Sequence, residues 1–187
     1  AGRWTDQDFP TAQFYNAFVT AHVPYHVCGA QQDNSTACVP STGGGELYDV
    51  GGGESGYIAP DPRNPDIFYA GSYGGHLTRF DRATGRTRAI NVWPDNPMGY
   101  SARDITERFQ WTFPIVFSPV DPRVIWVGGR NLLFVSTDGG DHWRNVFPSP
   151  VPTVDDSNLL ENRLSVESIA PDPFPPTDPA RPEHTAL

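Results

Sequence analysis

Two carboxylates stand in segments built to present side chains to solvent. Asp33 lies in Gly29-Ala30-Gln31-Gln32-Asp33-Asn34-Ser35-Thr36, and Glu54 lies in Gly51-Gly52-Gly53-Glu54-Ser55-Gly56. Paired carboxyls are what glycoside hydrolysis needs, one protonating the leaving oxygen and the other acting as base or nucleophile. The alternative is structural: a hydrogen-bonded turn around Asp33 and a glycine-rich loop with a solvated Glu54. The residue pattern alone favours that alternative. Other chemistries lack their templates. There is no lysine in the chain, hence no phosphate loop ending in Lys, and neither paired Cys ligands nor a His-Glu-x-x-His run occurs. No G-x-S-x-G elbow marks a nucleophilic serine. His22 and His26 have i, i+4 spacing, but Pro24 between them breaks the helix that would place them on one face. The acidic turn from Asp138 to Asp141 offers oxygens without the spacing of an EF-hand loop. No metal or cofactor is expected.

These side chains must be positioned by a chain poor in helix formers. Of 187 residues, 20 are Pro and 18 are Gly, which excludes a helical bundle or coiled coil, while 37% hydrophobic and 12% aromatic residues suffice for the packed core of one domain. The net charge of -9, from 22 acidic and 13 basic residues, repels a phosphate backbone, so nucleic acid is not an expected partner. The longest apolar runs, such as 124–127 and 132–135, fall far short of the roughly 20 residues that cross a bilayer as a helix, so no membrane span is expected. Cys28 and Cys38 flank a polar stretch across which two short strands could face each other. A cross-strand disulfide and two separate buried thiols both fit that spacing. Asn34-Ser35-Thr36 matches the glycosylation acceptor pattern, which matters only in a compartment that glycosylates. The chain starts at Ala1 without a charged-then-apolar leader, as expected of a cleaved or partial chain.

Segments 13–20, 25–30, 67–72, 76–81, 86–92, 109–117, 123–128 and 132–136 are rich in aromatic and β-branched residues and end in Gly, Pro, Asp or Asn. This pattern predicts an all-β chain of hairpins. A short helix is predicted only over 101–108, with one further turn over 157–163, and the Pro-rich stretch from 148 onward should be extended. An internal repeat narrows the architecture. Pro65-Asp66-Ile67-Phe68-Tyr69-Ala70-Gly71 and Pro122-Arg123-Val124-Ile125-Trp126-Val127-Gly128 share one pattern 57 residues apart, and Pro24-Tyr25-His26-Val27-Cys28-Gly29 is a looser copy. Tyr57-Ile58-Ala59-Pro60-Asp61-Pro62 is echoed by Val116-Phe117-Ser118-Pro119-Val120-Asp121-Pro122 and again by Ser168-Ile169-Ala170-Pro171-Asp172-Pro173. Repeats of roughly 40 to 57 residues with several strands each have the size of propeller blades. The predicted fold is therefore antiparallel four-stranded blades belonging to a larger β-propeller, with a sandwich as the alternative. About three blades would occupy 1–147, and 148–187 would be a Pro-rich segment with the start of a further blade.

Ser136-Thr137-Asp138-Gly139-Gly140-Asp141-His142-Trp143 matches S-x-D-x-G-x-x-W, with Ser136, Asp138, Gly140 and Trp143 at the fixed positions. It resembles the Asp-box of bacterial-neuraminidase-type repeats. There the Asp accepts backbone N–H bonds across a hairpin turn, Gly supplies positive φ and the Trp covers the turn. The wider text, including Phe14-Tyr15, Gly29 through Thr36, Gly51 through Tyr57, Tyr69-Ala70-Gly71-Ser72 and Arg108-Phe109-Gln110-Trp111-Thr112-Phe113-Pro114-Ile115, resembles secreted bacterial proteins with a sortilin-like propeller that carry a glycosyl hydrolase label. The resemblance spans about 8–173. It implies a secreted, periplasmic or cell-surface location and a structural Asp138 on an outer hairpin. It also implies loops at the propeller mouth that bring Arg108, Gln110 and Trp111 near the two carboxylates, with Tyr57 as a further contact residue. The chain departs from the pattern at Asp81 through Arg88, where the box lacks its Ser and Trp, and it lacks the Phe/Tyr-Arg-Ile-Pro segment of sialidases. Two functions follow as expectations: a binding or scaffold module for a glycan, a peptide or a neighbouring subunit, or a hydrolase fragment using Asp33 and Glu54. The first is preferred, because the strongest motif builds a turn.

Overall fold

A computed structural model describes residues 12–44, 47–130 and 132–146. The expected Pro-rich segment, the turn over 157–163 and the repeat echo at Ser168 lie outside the described residues. Among the described residues twelve strands form three four-stranded antiparallel sheets, each a simple meander in chain order. The first holds β1 (Phe18–Val19), β2 (His26–Gln31), β3 (Ser35–Pro40) and β4 (Tyr48–Asp49). The second holds β5 (Ile58–Pro60), β6 (Ile67–Gly71), β7 (Leu77–Asp81) and β8 (Arg86–Ala89). The third holds β9 (Ile115–Phe117), β10 (Ile125–Gly128), β11 (Leu133–Ser136) and β12 (Arg144–Asn145). The all-β expectation holds. The repeated Pro-to-Gly phrase supplies the second strand of every sheet, β2, β6 and β10.

Burial explains why those second strands read so clearly. Every residue of β6 is buried, because the middle sheet packs on both faces. With side chains alternating across the strand, Phe68 and Ala70 enter a core with Cys28, Cys38, Val50 and Ile58, bordered by Phe18, Tyr48 and Phe80. Ile67 and Tyr69 point the other way, into a core with Leu77, Ile90, Phe113, Ile115, Ile125 and Phe134. Each such large side chain contributes about 1.5–3 kcal/mol by leaving water. The first strands β1, β5 and β9 approach one another in series, so the sheets follow one another side by side.

Two kinds of turn recur. Between first and second strands, Asp61 accepts the backbone N–H of Arg63 and a two-pronged bond from its guanidinium, and Asp121 does the same with Arg123. The Arg123 side chain and backbone together pull the Asp121 carboxyl down to about 2. Between third and fourth strands, Asp81 Oδ1 accepts the Thr84 N–H in the second sheet, and the Ser136 to Trp143 motif occupies the same place in the third.

The predicted helix over 101–108 is replaced by turns. Asp104 N–H bonds Ser101 C=O and the Ser101 hydroxyl bonds Asp104 Oδ2, which starts one turn. The β-branched Ile105 and Thr106 then disfavour its extension, and Phe109 is drawn into contact with Phe113 and Phe134. Of the predicted strand over 109–117 only Ile115–Phe117 pairs. Of that over 13–20 only Phe18–Val19 pairs, with an isolated bridge between Phe14 and Gln31.

Candidate functional site

In a meander, alternate turns fall at alternate ends of the sheet. The β2–β3 turn, the β4–β5 connection, the β6–β7 turn and the β8–β9 connection meet at one end, as their contacts show. Gly53 N–H donates to Gly71 C=O at 3.1 Å, and a Cβ on Gly71 would meet the ring of Phe113. Gly56, with φ +93°, lets its backbone pass so close to Thr112 that a Cβ would lie 2.7 Å from the Thr112 Cα. These approaches tie the glycine-rich connection to the segment carrying Trp111.

On this end the structure brings Asp33 and Glu54 together. Gln32 Nε2 donates to Asp33 Oδ1 at 2.8 Å and to Glu54 Oε2 at 3.0 Å, and Asp33 N–H donates to the same Glu54 oxygen at 2.7 Å. Asp33 holds φ +63° in the three-residue turn between Gln31 and its partner Ser35, a conformation that Asp tolerates better than most residues. Asp33 is exposed and Glu54 half-buried. Tyr15 joins this polar network to an aromatic one: its hydroxyl donates to Gln32 Oε1, while its ring meets Trp111 edge-on with centroids 6.4 Å apart. Trp111 is 42% exposed and stacks on Tyr73, centroids 5.6 Å apart and planes 17° from parallel.

The remaining sequence candidates stand outside this hydrogen-bond and ring network. Tyr57 is half-buried against Phe18 at 5.4 Å, between the first two sheets. Arg108 donates to the Ala102 carbonyl within its own connection, and Gln110 is exposed. Tyr73 was not singled out from sequence, although an aromatic between Ser72 and two glycines in a strand-connecting turn was the available signal. Beyond that turn, burial pushes the Glu107 carboxyl up in a shallow pocket lined by Gly74, Trp93, Tyr100 and Phe109.

Cys28 and Cys38 face each other directly across β2 and β3, with Cα atoms 4.0 Å apart, and are joined as a disulfide. Asn34 is exposed in the adjoining turn. The Ser136 to Trp143 motif closes the β11–β12 hairpin. Ser136 Oγ bonds Asp138 Oδ1 at 2.8 Å and accepts Gly140 N–H at 3.0 Å. His142 N–H and imidazole, with Ser136, hold the Asp138 carboxyl well below the usual carboxylate range. That turn lies at the end of its sheet opposite Phe113, so Asp138 serves the hairpin and is apart from the carboxylate pair. Among the described residues no three metal-ligating side chains come together, and no helix is long and apolar enough to cross a membrane.

No protein-family model matches the chain, and no curated protein matches it.

Proposed function

We propose that this chain is a non-catalytic binding module of a secreted bacterial Asp-box β-propeller protein, and that it holds a glycan on the loop end just described. The blade reading is supported by three successive meanders whose first strands run in series. It is also supported by an outer face of the first sheet that leaves Val19 and its cross-strand neighbour Val27 exposed, as a sheet awaiting a further sheet or a neighbouring chain would. The glycan reading rests on one observation: Tyr15 couples an exposed aromatic platform, Trp111 on Tyr73, to a hydrogen-bonding pair of carboxylates. A sugar offers an apolar C–H face and a rim of hydroxyl donors, which this juxtaposition matches. Glycan-array binding should be lost in Trp111→Ala with the melting temperature preserved. Unchanged binding in that variant overturns the site.

The hydrolase reading keeps one specific support. Sharing one amide nitrogen holds the nearest carboxylate oxygens within about 6 Å, close to the roughly 5–5.5 Å of retaining pairs. A hydrolase, however, keeps the scissile bond between its carboxyls, and here the Gln32 amide fills that space. We therefore favour binding. A hydrolysis screen on polysaccharides should show no turnover, and turnover abolished by Glu54→Gln in a folded protein would reverse the choice.

A further inference from the structure

We infer that the ligand of this loop end carries free ammonium groups, and that the site takes an amino-sugar glycan. The inference rests on the glycan reading above and adds the charge of the sugar. The six side chains that make up the site, Tyr15, Gln32, Asp33, Glu54, Tyr73 and Trp111, include two acids and no base. The arginine that the sequence offers as a counter-charge, Arg108, is turned to the Ala102 carbonyl. The internal network uses Asp33 Oδ1 and Glu54 Oε2, and it leaves Asp33 Oδ2 and Glu54 Oε1 outside it. Two like charges held side by side by one neutral amide are relieved by a cation placed between their outer oxygens, and an ammonium can donate to both. Ammonium groups are also attracted to the face of an indole, so an oligomer of amino sugars offers partners to Trp111 as well as to the carboxylates. An acidic sugar is repelled by the pair, and the net charge of -9 adds to that discrimination at long range.

A second feature lies in the same connection. Ser55, which follows Glu54 directly, is 1% exposed, and its hydroxyl is the one buried side-chain polar atom among the described residues without a hydrogen-bond partner. Buried hydroxyls are nearly always satisfied, so this one marks the Glu54 connection as a place where the chain's own hydrogen bonding is incomplete. Its neighbours Gly53 and Gly56 press against Ser72 and Thr112, the residues next to Tyr73 and Trp111, so the orphan hydroxyl belongs to the connection that underlies the site.

The test is calorimetric titration of the protein with a glucosamine hexamer, its fully N-acetylated counterpart and an oligogalacturonate, at a pH where the amino groups are protonated. The glucosamine hexamer should bind about tenfold more tightly than the N-acetylated one, and the acidic oligomer should not bind. Asp33→Asn and Glu54→Gln should each remove about tenfold from glucosamine binding while leaving the N-acetylated oligomer unchanged, and added salt should narrow the gap. Asn tolerates the left-handed conformation at position 33, and Glu54→Gln provides an independent variant. Equal or tighter binding of the neutral oligomer, lost in Trp111→Ala, overturns the ammonium inference and leaves the glycan reading standing. Binding of none of the three overturns both. Oligolysine binding as tightly as the hexamer, indifferent to Trp111→Ala, shows charge attraction alone and also overturns the inference.

Discussion

His22 and His26 lie face to face, their ring centroids 4.1 Å apart and their planes 11° from parallel. A helix was never needed to bring them together, because the β1–β2 turn does so. His22 reaches Asp66 of the second sheet through Nε2, and His26 Nδ1 is hydrogen-bonded to the Tyr48 hydroxyl at 2.5 Å. Arg82 bonds Asp66 and lies over the Tyr48 ring. The cluster therefore joins two sheets through hydrogen-bonded and stacked side chains. Burial, then His22 and Arg82, lower the His26 value from its ordinary 6.5, against the opposing pull of Asp66. Below 6.5 the unfolded chain binds the proton that the folded chain resists, so stability is full above that value and falls as the pH drops toward the lowered one. Thermal melts at stepped pH should show this loss, and His26→Gln should flatten the slope between neutral and mildly acid pH. An unchanged slope would remove His26 from the account.

At the β11–β12 hairpin, Trp143 Nε1 donates to Ile90 C=O at 2.8 Å, and Gly140, with φ +89°, sits where a Cβ would come 2.6 Å from Ile90 Cδ1. The motif thus docks its hairpin on the neighbouring sheet as well as closing its own turn. Trp143→Phe should cost about 1–2 kcal/mol by orphaning that carbonyl. Gly140→Ala should cost about 2 kcal/mol or more, combining backbone strain with a clash. Asp141→Asn, which breaks only the exposed pair with Arg88, should cost less than about 1 kcal/mol. Urea unfolding of the three variants checks the ranking, and equal losses would refute the docking account.

The Cys28–Cys38 disulfide closes a short loop around the Asp33 turn, and both cysteines are buried in the core between the first two sheets. On loop-entropy grounds, the double variant Cys28→Ala, Cys38→Ala should lose about 3 kcal/mol. Reductant should reproduce most of that loss in the parent protein under partly unfolding conditions. Glycan binding should be retained at temperatures where the variant stays folded, since the Gln32 contacts lie beyond the bridge. Loss of binding in the folded variant would show that the bridge fixes the turn.

The sequence announces the second strands because β6 and β10 are apolar runs trapped between Pro and Gly, with β2 a looser copy that runs past Gly29, and β6 in particular is buried on both faces. It is silent on β4 and β12, which are two-residue edge strands holding Tyr48–Asp49 and Arg144–Asn145, too short for alternation to register. The carboxylate pair was visible as two polar turns, since Gly and Asn around Asp33 and Gly around Glu54 mark exposed backbone. Of its companions, Trp111 was expected as a contact residue from the resemblance, while the contacts of Tyr15 and Tyr73 were not visible. Tyr15, Tyr73 and Trp111 meet only because the segment before β1 and two separate connections converge, and no local period reports a contact between residues 15 and 111. The helix expected near 101–108 failed for a related reason: its one starting turn was outweighed by the pull of Phe109 into the core.

That convergence can be tested without a ligand. Gly56 and Gly85 both have positive φ, +93° and +68°, but a Cβ on Gly56 meets Thr112 while one on Gly85 meets nothing within 4 Å. Replacing either by Ala imposes backbone strain of about 1 kcal/mol, and only Gly56→Ala adds a clash with backbone beside Trp111. Gly85→Ala should therefore lower stability by about 1 kcal/mol and leave Trp111 untouched. Gly56→Ala should lose about 2–3 kcal/mol, because the connection carrying Glu54 must move away from Thr112. If that connection moves, the Glu54 bonds to Gln32 and Asp33 lengthen with it, and the environment of the exposed indole changes. Indole N–H chemical shifts, assigned by Trp111→Phe, should move in Gly56→Ala and stay fixed in Gly85→Ala. Equal melting losses and an unmoved Trp111 resonance would show that the two connections are not coupled, and the platform and the carboxylates would then have to be treated as separate surfaces.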